Sequence, residues 1–172
     1  ILKYDHSILL NELREKTGLI RSVIVNNEGE IVSFSPPKSI LFSIFIECYT
    51  FEECIAEAFI EGTMINLFFD KNQGDEGEWE IATRSTVGGK ISYFIKPDKN
   101  ENHTFRSMFL EICNHVNLEF DMLNKDYCYS FVIQHPDNRI VSIIKEMTLY
   151  LVRVYDINNE TLKIEEQNKN DF

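Results

Sequence analysis

The sequence predicts an α+β fold with a largely antiparallel sheet and a few packed helices. Three observations predict it. Short β-branched and aromatic runs recur between turn-forming clusters. One segment of the second half carries apolar residues at helical spacing. Strands and helices do not alternate strictly, as the βαβ units of a parallel sheet would. With 172 residues, 44% of them hydrophobic, the chain has enough apolar surface for one core. The expected division is one domain over residues 1–164 and a polar, acidic, fraying tail over 165–172.

The elements follow in order. Ser7 to Lys16 puts Ile8, Leu9, Leu10 and Leu13 on one helical stripe, and Thr17-Gly18 ends it. Ile20 to Val25 and Ile31 to Phe34 flank Asn26-Asn27-Glu28-Gly29, a hairpin signal. Thr50-Phe51-Glu52-Glu53 is a capping box, in which hydroxyl and carboxylate each meet an orphan N–H, and it starts a short helix ending near Ala56. Strands are expected over Phe59–Phe69, Glu78–Arg84 and Ile91–Ile95. Thr104 caps a helix whose Phe105, Met108, Phe109, Ile112 and Val116 form a stripe that must cover a sheet. Tyr127–Gln134, Arg139–Ser142 and Thr148–Ile157 complete a strand-rich second half. Trp79 is expected in core or rim packing. Tyr127 and Tyr129, two apart, share one strand face.

Charge narrows the partners. Lys+Arg is 17 against Asp+Glu 28, a formal charge of −11, which argues against non-specific coating of nucleic acid while leaving room for a local basic pocket. Cys48, Cys54, Cys113 and Cys128 show no metal or paired spacing and read as core or half-buried thiols of a reducing, intracellular and cytoplasmic compartment. No apolar run approaches the roughly eighteen residues that span a bilayer. The start at Ile1, without a leader pattern, is expected of a piece of something longer. His6, His103, His115 and His135 have no mutual spacing that predicts a metal or a triad, and His115 reads as surface or half-buried. Gly88-Gly89-Lys90 could cradle a phosphate through backbone N–H groups and a Lys charge, or could be a two-glycine turn.

The most informative feature is an ordered series. Arg21-Ser22-Val23-Ile24-Val25 is followed by Pro37-Lys38-Ser39-Ile40, then by Phe59-Ile60-Glu61-Gly62-Thr63-Met64-Ile65 and Ala82-Thr83-Arg84-Ser85-Thr86-Val87. Pro136-Asp137-Asn138-Arg139-Ile140-Val141 then precedes Leu149-Tyr150-Leu151-Val152. Over roughly Leu19 to Ile157, this order resembles the covalent nucleotidyltransferase superfamily, and within it the phage-type ATP-dependent RNA ligases. It also looks like RNA-ligase-like proteins of large DNA viruses.

The resemblance implies an ATP-grasp-like nucleotidyltransferase core, incomplete in this chain, with ATP and Mg between sheets. A Lys would attack the α-phosphate and carry AMP to an RNA 5′-phosphate. The nucleotide-binding residues it points to are Arg21, Lys38, Glu61, Gly62, Arg84 and Lys90. Phe59 stands where the nucleophilic Lys is expected, and Val132 where an acidic residue is expected, with Gln134 the nearest polar substitute. The later Glu-Gly and Lys-x-Lys motifs do not follow Ile157.

Each position has a plainer reading. Glu61-Gly62 can be a bulge, Lys38 a surface Lys after Pro36-Pro37, and Asn138-Arg139 a shape-setting pair. Three functions follow: a degenerate domain that binds ATP or an RNA end, an active ligase with a displaced nucleophile such as Lys38 or with missing later motifs, and a non-catalytic assembly protein that reuses the fold. A partner protein or a further segment could supply the groups that are absent.

Overall fold

The computed structural model describes residues 1–2, 21–92, 103–138, 140–161 and 163–172. Seven strands and two α-helices are present among them: β1 (Val23–Val25), β2 (Ile31–Phe34), α1 (Phe42–Cys48), β3 (Thr63–Asp70), β4 (Glu78–Ala82), α2 (Phe105–His115), β5 (Tyr127–Gln134), β6 (Thr148–Asn158) and β7 (Lys163–Gln167). β1 and β2 form an antiparallel hairpin, and the remaining five strands form one antiparallel sheet in the order β4-β3-β5-β6-β7. The α+β class and the antiparallel sheet are as the sequence predicts. The expected helix over 7–16 lies outside the described residues, as do 93–95 of the expected strand Ile91–Ile95.

The sheet is covered on both sides because alternate residues of a strand face opposite ways. Ile65 and Leu67 of β3, with Tyr129, Phe131 and Ile133 of β5, pack against Phe105, Met108, Phe109 and Ile112 of α2. Phe68, Ala82 and Cys128 point the other way and meet Ile24 of the hairpin, while Tyr155 meets Val23 and Phe34. Each fully buried apolar side chain contributes roughly 1.5–3 kcal/mol.

Local chemistry explains the ends. Asn26 Oδ1 accepts from the N–H groups of Glu28 and Glu30 (3.0 and 2.9 Å), and Gly29 supplies φ +88° in the hairpin turn. Thr104 Oγ1 accepts from Ser107 N, while Ser107 Oγ accepts from Thr104 N, a capping box with Ser in place of the acid. Asn117, at φ 57°, ends α2, and Leu118 N donates back to Cys113 O. Val116 therefore leaves the stripe and is exposed, and Cys113 is buried in its place.

A chain of buried hydrogen bonds fixes the hairpin to the sheet. Ser35 Oγ donates to Ser22 O (2.9 Å), Asn66 Nδ2 donates to Ser35 Oγ (3.0 Å), and Ser130 Oγ donates to Asn66 Oδ1 (2.8 Å). At the far end, Asn159 accepts from Ile31 N (2.8 Å) and donates to Ile31 O (2.9 Å), acting as a one-residue strand partner.

Several boundaries differ from expectation. The Thr50–Glu53 capping box is present, but only a 3-10 turn over Phe51–Glu53 follows, and nothing in it is buried. β3 begins at Thr63 instead of Phe59, because its partner β5 ends at Gln134, two residues before a Pro that has no N–H to donate. Residues 140–142 form bends instead of a strand, and Arg139 lies outside the described residues. The run expected to fray from Glu165 is part of β7, whose Ile164 pairs with Ile157 of β6, and Phe172 packs edge-on against Tyr127 and Tyr129. α1 was not expected. Its N-cap Leu41 makes no side-chain cap bond, and none of its residues is buried.

Candidate functional site

Two segments of the ordered series, Phe59 to Ile65 and the one that starts at Pro136, meet at the start of β3. Glu61 Oε1 accepts from the backbone N–H groups of Val141 and Ser142, both at 2.8 Å, and its Oε2 accepts from Ser142 Oγ at 2.7 Å. These bonds, led by the Ser142 N–H, hold the Glu61 carboxyl below the ordinary carboxylate range. Gln134 Nε2 donates to Glu61 O (2.8 Å), and Asn138 Nδ2 donates to the buried Thr63 Oγ1 (2.8 Å). Gly62 lies so close to β5 that a Cβ there would stand 2.5 Å from Ile133 O and 2.6 Å from Val132 Cγ1. Glu61-Gly62-Thr63 is thus interlocked with Gln134, Asn138, Val141 and Ser142, some 70–80 residues away in sequence.

The expected cations sit on neighbouring elements. Arg21 and Lys38 leave the open end of the hairpin, where Ser22 and Ser35 bond to each other and Ser35 to Asn66. Arg84 follows β4, whose Ala82 pairs with the same Asn66, and its side chain is exposed. Lys90 is exposed beyond Gly88-Gly89. The glycine backbone there is engaged within the protein: Gly88 N donates to Ile81 O (2.7 Å), and Gly89 O accepts from Arg106 N (2.9 Å). Thr83 N donates to Thr86 O, so the tight turn lies at 83–86, ahead of the glycines.

Phe59 is 97% exposed, at the end of a stretch that also presents Phe42, Phe51 and Ile55 to solvent. Glu57 anchors this stretch: Arg153 Nη2 reaches its carboxylate at 2.9 Å, and Lys169 pairs with its other oxygen. These cations, Lys169 first, lower the Glu57 pKa. Arg153 also pairs with Glu166 of β7 through Nε, at 2.8 Å.

The chemistry of an ATP–Mg site can be tested against these groups. Phe59 carries no amine, Val132 is buried against β3 and carries no carboxylate, and both Glu61 oxygens are occupied by the 141–142 backbone and Ser142. These three side chains thus offer neither an amine nor a free carboxylate to covalent adenylyl transfer.

Two further features escaped the sequence reading. A cleft of about 520 Å³ opens at the opposite end of β3, lined by residues including Asn26, Phe69, Lys125, Tyr127 and Asp156, and by none of the expected nucleotide-binding residues. The histidines also differ from expectation: His103 and His135 are brought together with Glu111, their ligand atoms within 4.8 Å of one another. Trp79 packs against Phe69, Phe120 and Tyr129, and Tyr127 neighbours Tyr129 on the core face, as expected. Cys113 and Cys128 are buried, Cys54 half-buried and Cys48 exposed. Among the described residues, no helix is long and apolar enough to cross a membrane.

Over 106 residues, the chain is 27% identical to an RNA ligase of Rhodothermus phage RM378, a match covering 59% of this chain and 23% of the phage protein. The chain thus spans less than a quarter of that relative's length and is RNA-ligase-like in sequence. No family model matches the chain, and no solved structure matches it.

Proposed function

We propose that this chain is a degenerate nucleotidyltransferase domain of the RNA-ligase type, which holds ATP or an RNA 5′ end without covalent chemistry of its own. The observation that supports this reading is the Glu61–Ser142 junction, where two of the ligase-like segments meet, together with a Phe at position 59, where the resemblance expects the nucleophile. The similarity to a phage RNA ligase supports the substrate class. Arg21, Lys38, Arg84 and Lys90 would supply cations to a triphosphate or a 5′-phosphate, and Gly62 would keep the backbone close at the motif's centre. Magnesium would enter with the nucleotide, carried by its phosphates.

Incubation with α-labelled ATP and Mg²⁺ is expected to leave no lysine-linked label, and label on any lysine would overturn the non-covalent reading. ATP or a 5′-phosphorylated oligonucleotide is expected to raise the melting temperature, by the equivalent of about 2.7 kcal/mol at a hundred times Kd. A flat response at millimolar ligand would overturn nucleotide binding. It would favour a second reading, an assembly protein that reuses the fold, for which the solvent-facing Phe42, Phe51, Ile55 and Phe59 speak.

A further inference from the structure

We propose that His103, Glu111 and His135 form a binding site for a transition-metal ion of the Zn²⁺ type, on residues other than those that bond at the Glu61 junction. The three residues come from different elements. His103 immediately precedes the N-cap of α2, Glu111 lies within α2, and His135 follows β5. α2 and β5 are locked together by the core, so the elements that carry two of the donors are already rigid.

The three side chains bring two imidazoles and a carboxylate to one place. His135 is buried, and its Nδ1 accepts from Asp137 N at 3.1 Å, which places the ring proton on Nε2. That nitrogen lies 3.3 Å from Glu111 Oε2. In a tetrahedral zinc site with bonds of about 2.0–2.1 Å, neighbouring donors stand about 3.3 Å apart. The His135–Glu111 pair therefore already spans one edge of such a site.

The His103 ring stands edge-on to that of His135, with centroids 5.8 Å apart. Its Nδ1 is buried, and Asp137 Oδ2 lies 3.0 Å from it. Asp137 thus touches both imidazoles, one through its backbone and one through its carboxylate. A carboxylate beside Nδ1 orients a ligating histidine, so the Asp137 contact would leave His103 Nε2 to face the metal. Two imidazoles and a carboxylate select Zn²⁺ and its neighbours over Mg²⁺, which prefers an all-oxygen shell. Binding at His135 Nε2 would move the ring proton to Nδ1, with the Asp137 N–H turning from that nitrogen to water, and would tie His103 to the end of β5.

The test uses the full chain without an affinity tag, treated with chelator and then given ZnCl₂, CoCl₂ or MgCl₂. Zn²⁺ is expected to bind one to one by calorimetry and to raise the melting temperature. Co²⁺ is expected to give the intense visible bands of a tetrahedral site, and Mg²⁺ to do neither. His103→Ala and Glu111→Gln, which leave the buried His135 intact, are expected to weaken Zn²⁺ binding by at least about tenfold while the metal-free protein melts as before. No Zn²⁺ effect on melting, or a Zn²⁺ effect that survives both substitutions unchanged, overturns the proposal.

Discussion

Replacing Asn66 by Ala would cut the link between the hairpin and the sheet at its centre. Asn66 is 1% exposed and is the middle member of the buried series from Ser22 through Ser35 to Ser130. The substitution removes two hydrogen bonds, each contributing about 1 kcal/mol, and leaves the Ser130 hydroxyl without its acceptor in a dry interior. Stranding a buried donor costs about 1–3 kcal/mol on its own, so the expected loss is about 3 kcal/mol. At 172 residues, this corresponds to a fall in Tm of about 6–12 °C.

Equilibrium unfolding in urea measures it, and Ser130→Ala completes a double-mutant cycle. With both side chains removed, neither partner is stranded, so the double variant should cost at least about 1 kcal/mol less than the sum of the singles. Hydrogen exchange at Val23–Val25 should rise in Asn66→Ala, because the hairpin loses its fixed seat. A loss under about 1 kcal/mol, or strict additivity with Ser130→Ala, would refute the reasoning.

Two other outcomes follow from the Glu61 junction. Its carboxyl is held below the ordinary glutamate range by bonds to residues 141 and 142, so this contribution to stability is present above the unfolded-state pKa. It is lost as pH falls through the lower folded-state value. The Val141 and Ser142 amide resonances should therefore titrate with a midpoint below about 4.3, the ordinary value for Glu, and Glu61→Ala should abolish that transition. Gly62→Ala should destabilise the protein by roughly 1–3 kcal/mol in urea unfolding, since its Cβ would press on the Ile133 carbonyl, and an unchanged midpoint would show that β3 can give way there.

The elements legible in the sequence are those whose cause is local. Asn26 and Gly29 write the hairpin turn, Thr104 and the Phe105–Ile112 stripe write α2, and the aromatic and β-branched run of Tyr127–Gln134 writes β5. β7 was illegible because Lys163–Gln167 carries one apolar residue, and only pairing with β6 makes it a strand. α1 was illegible because it has neither a side-chain cap nor a buried face to give it a period. At the candidate site, Glu61 and Gly62 were legible as motif letters. The Glu61 carboxylate's bonds to the 141–142 backbone were not, since they cross about 80 residues of chain. The histidine cluster was hidden for the same reason: positions 103, 111 and 135 converge only once α2 lies across β5.

β7 also bears on how copies of the molecule meet. It forms one border of the five-stranded sheet, where unpaired backbone groups invite a strand from another copy. Glu165 and Glu166 are exposed along that border. Charged side chains on an edge strand oppose such pairing, so the residues that look like leftover tail serve as a fence.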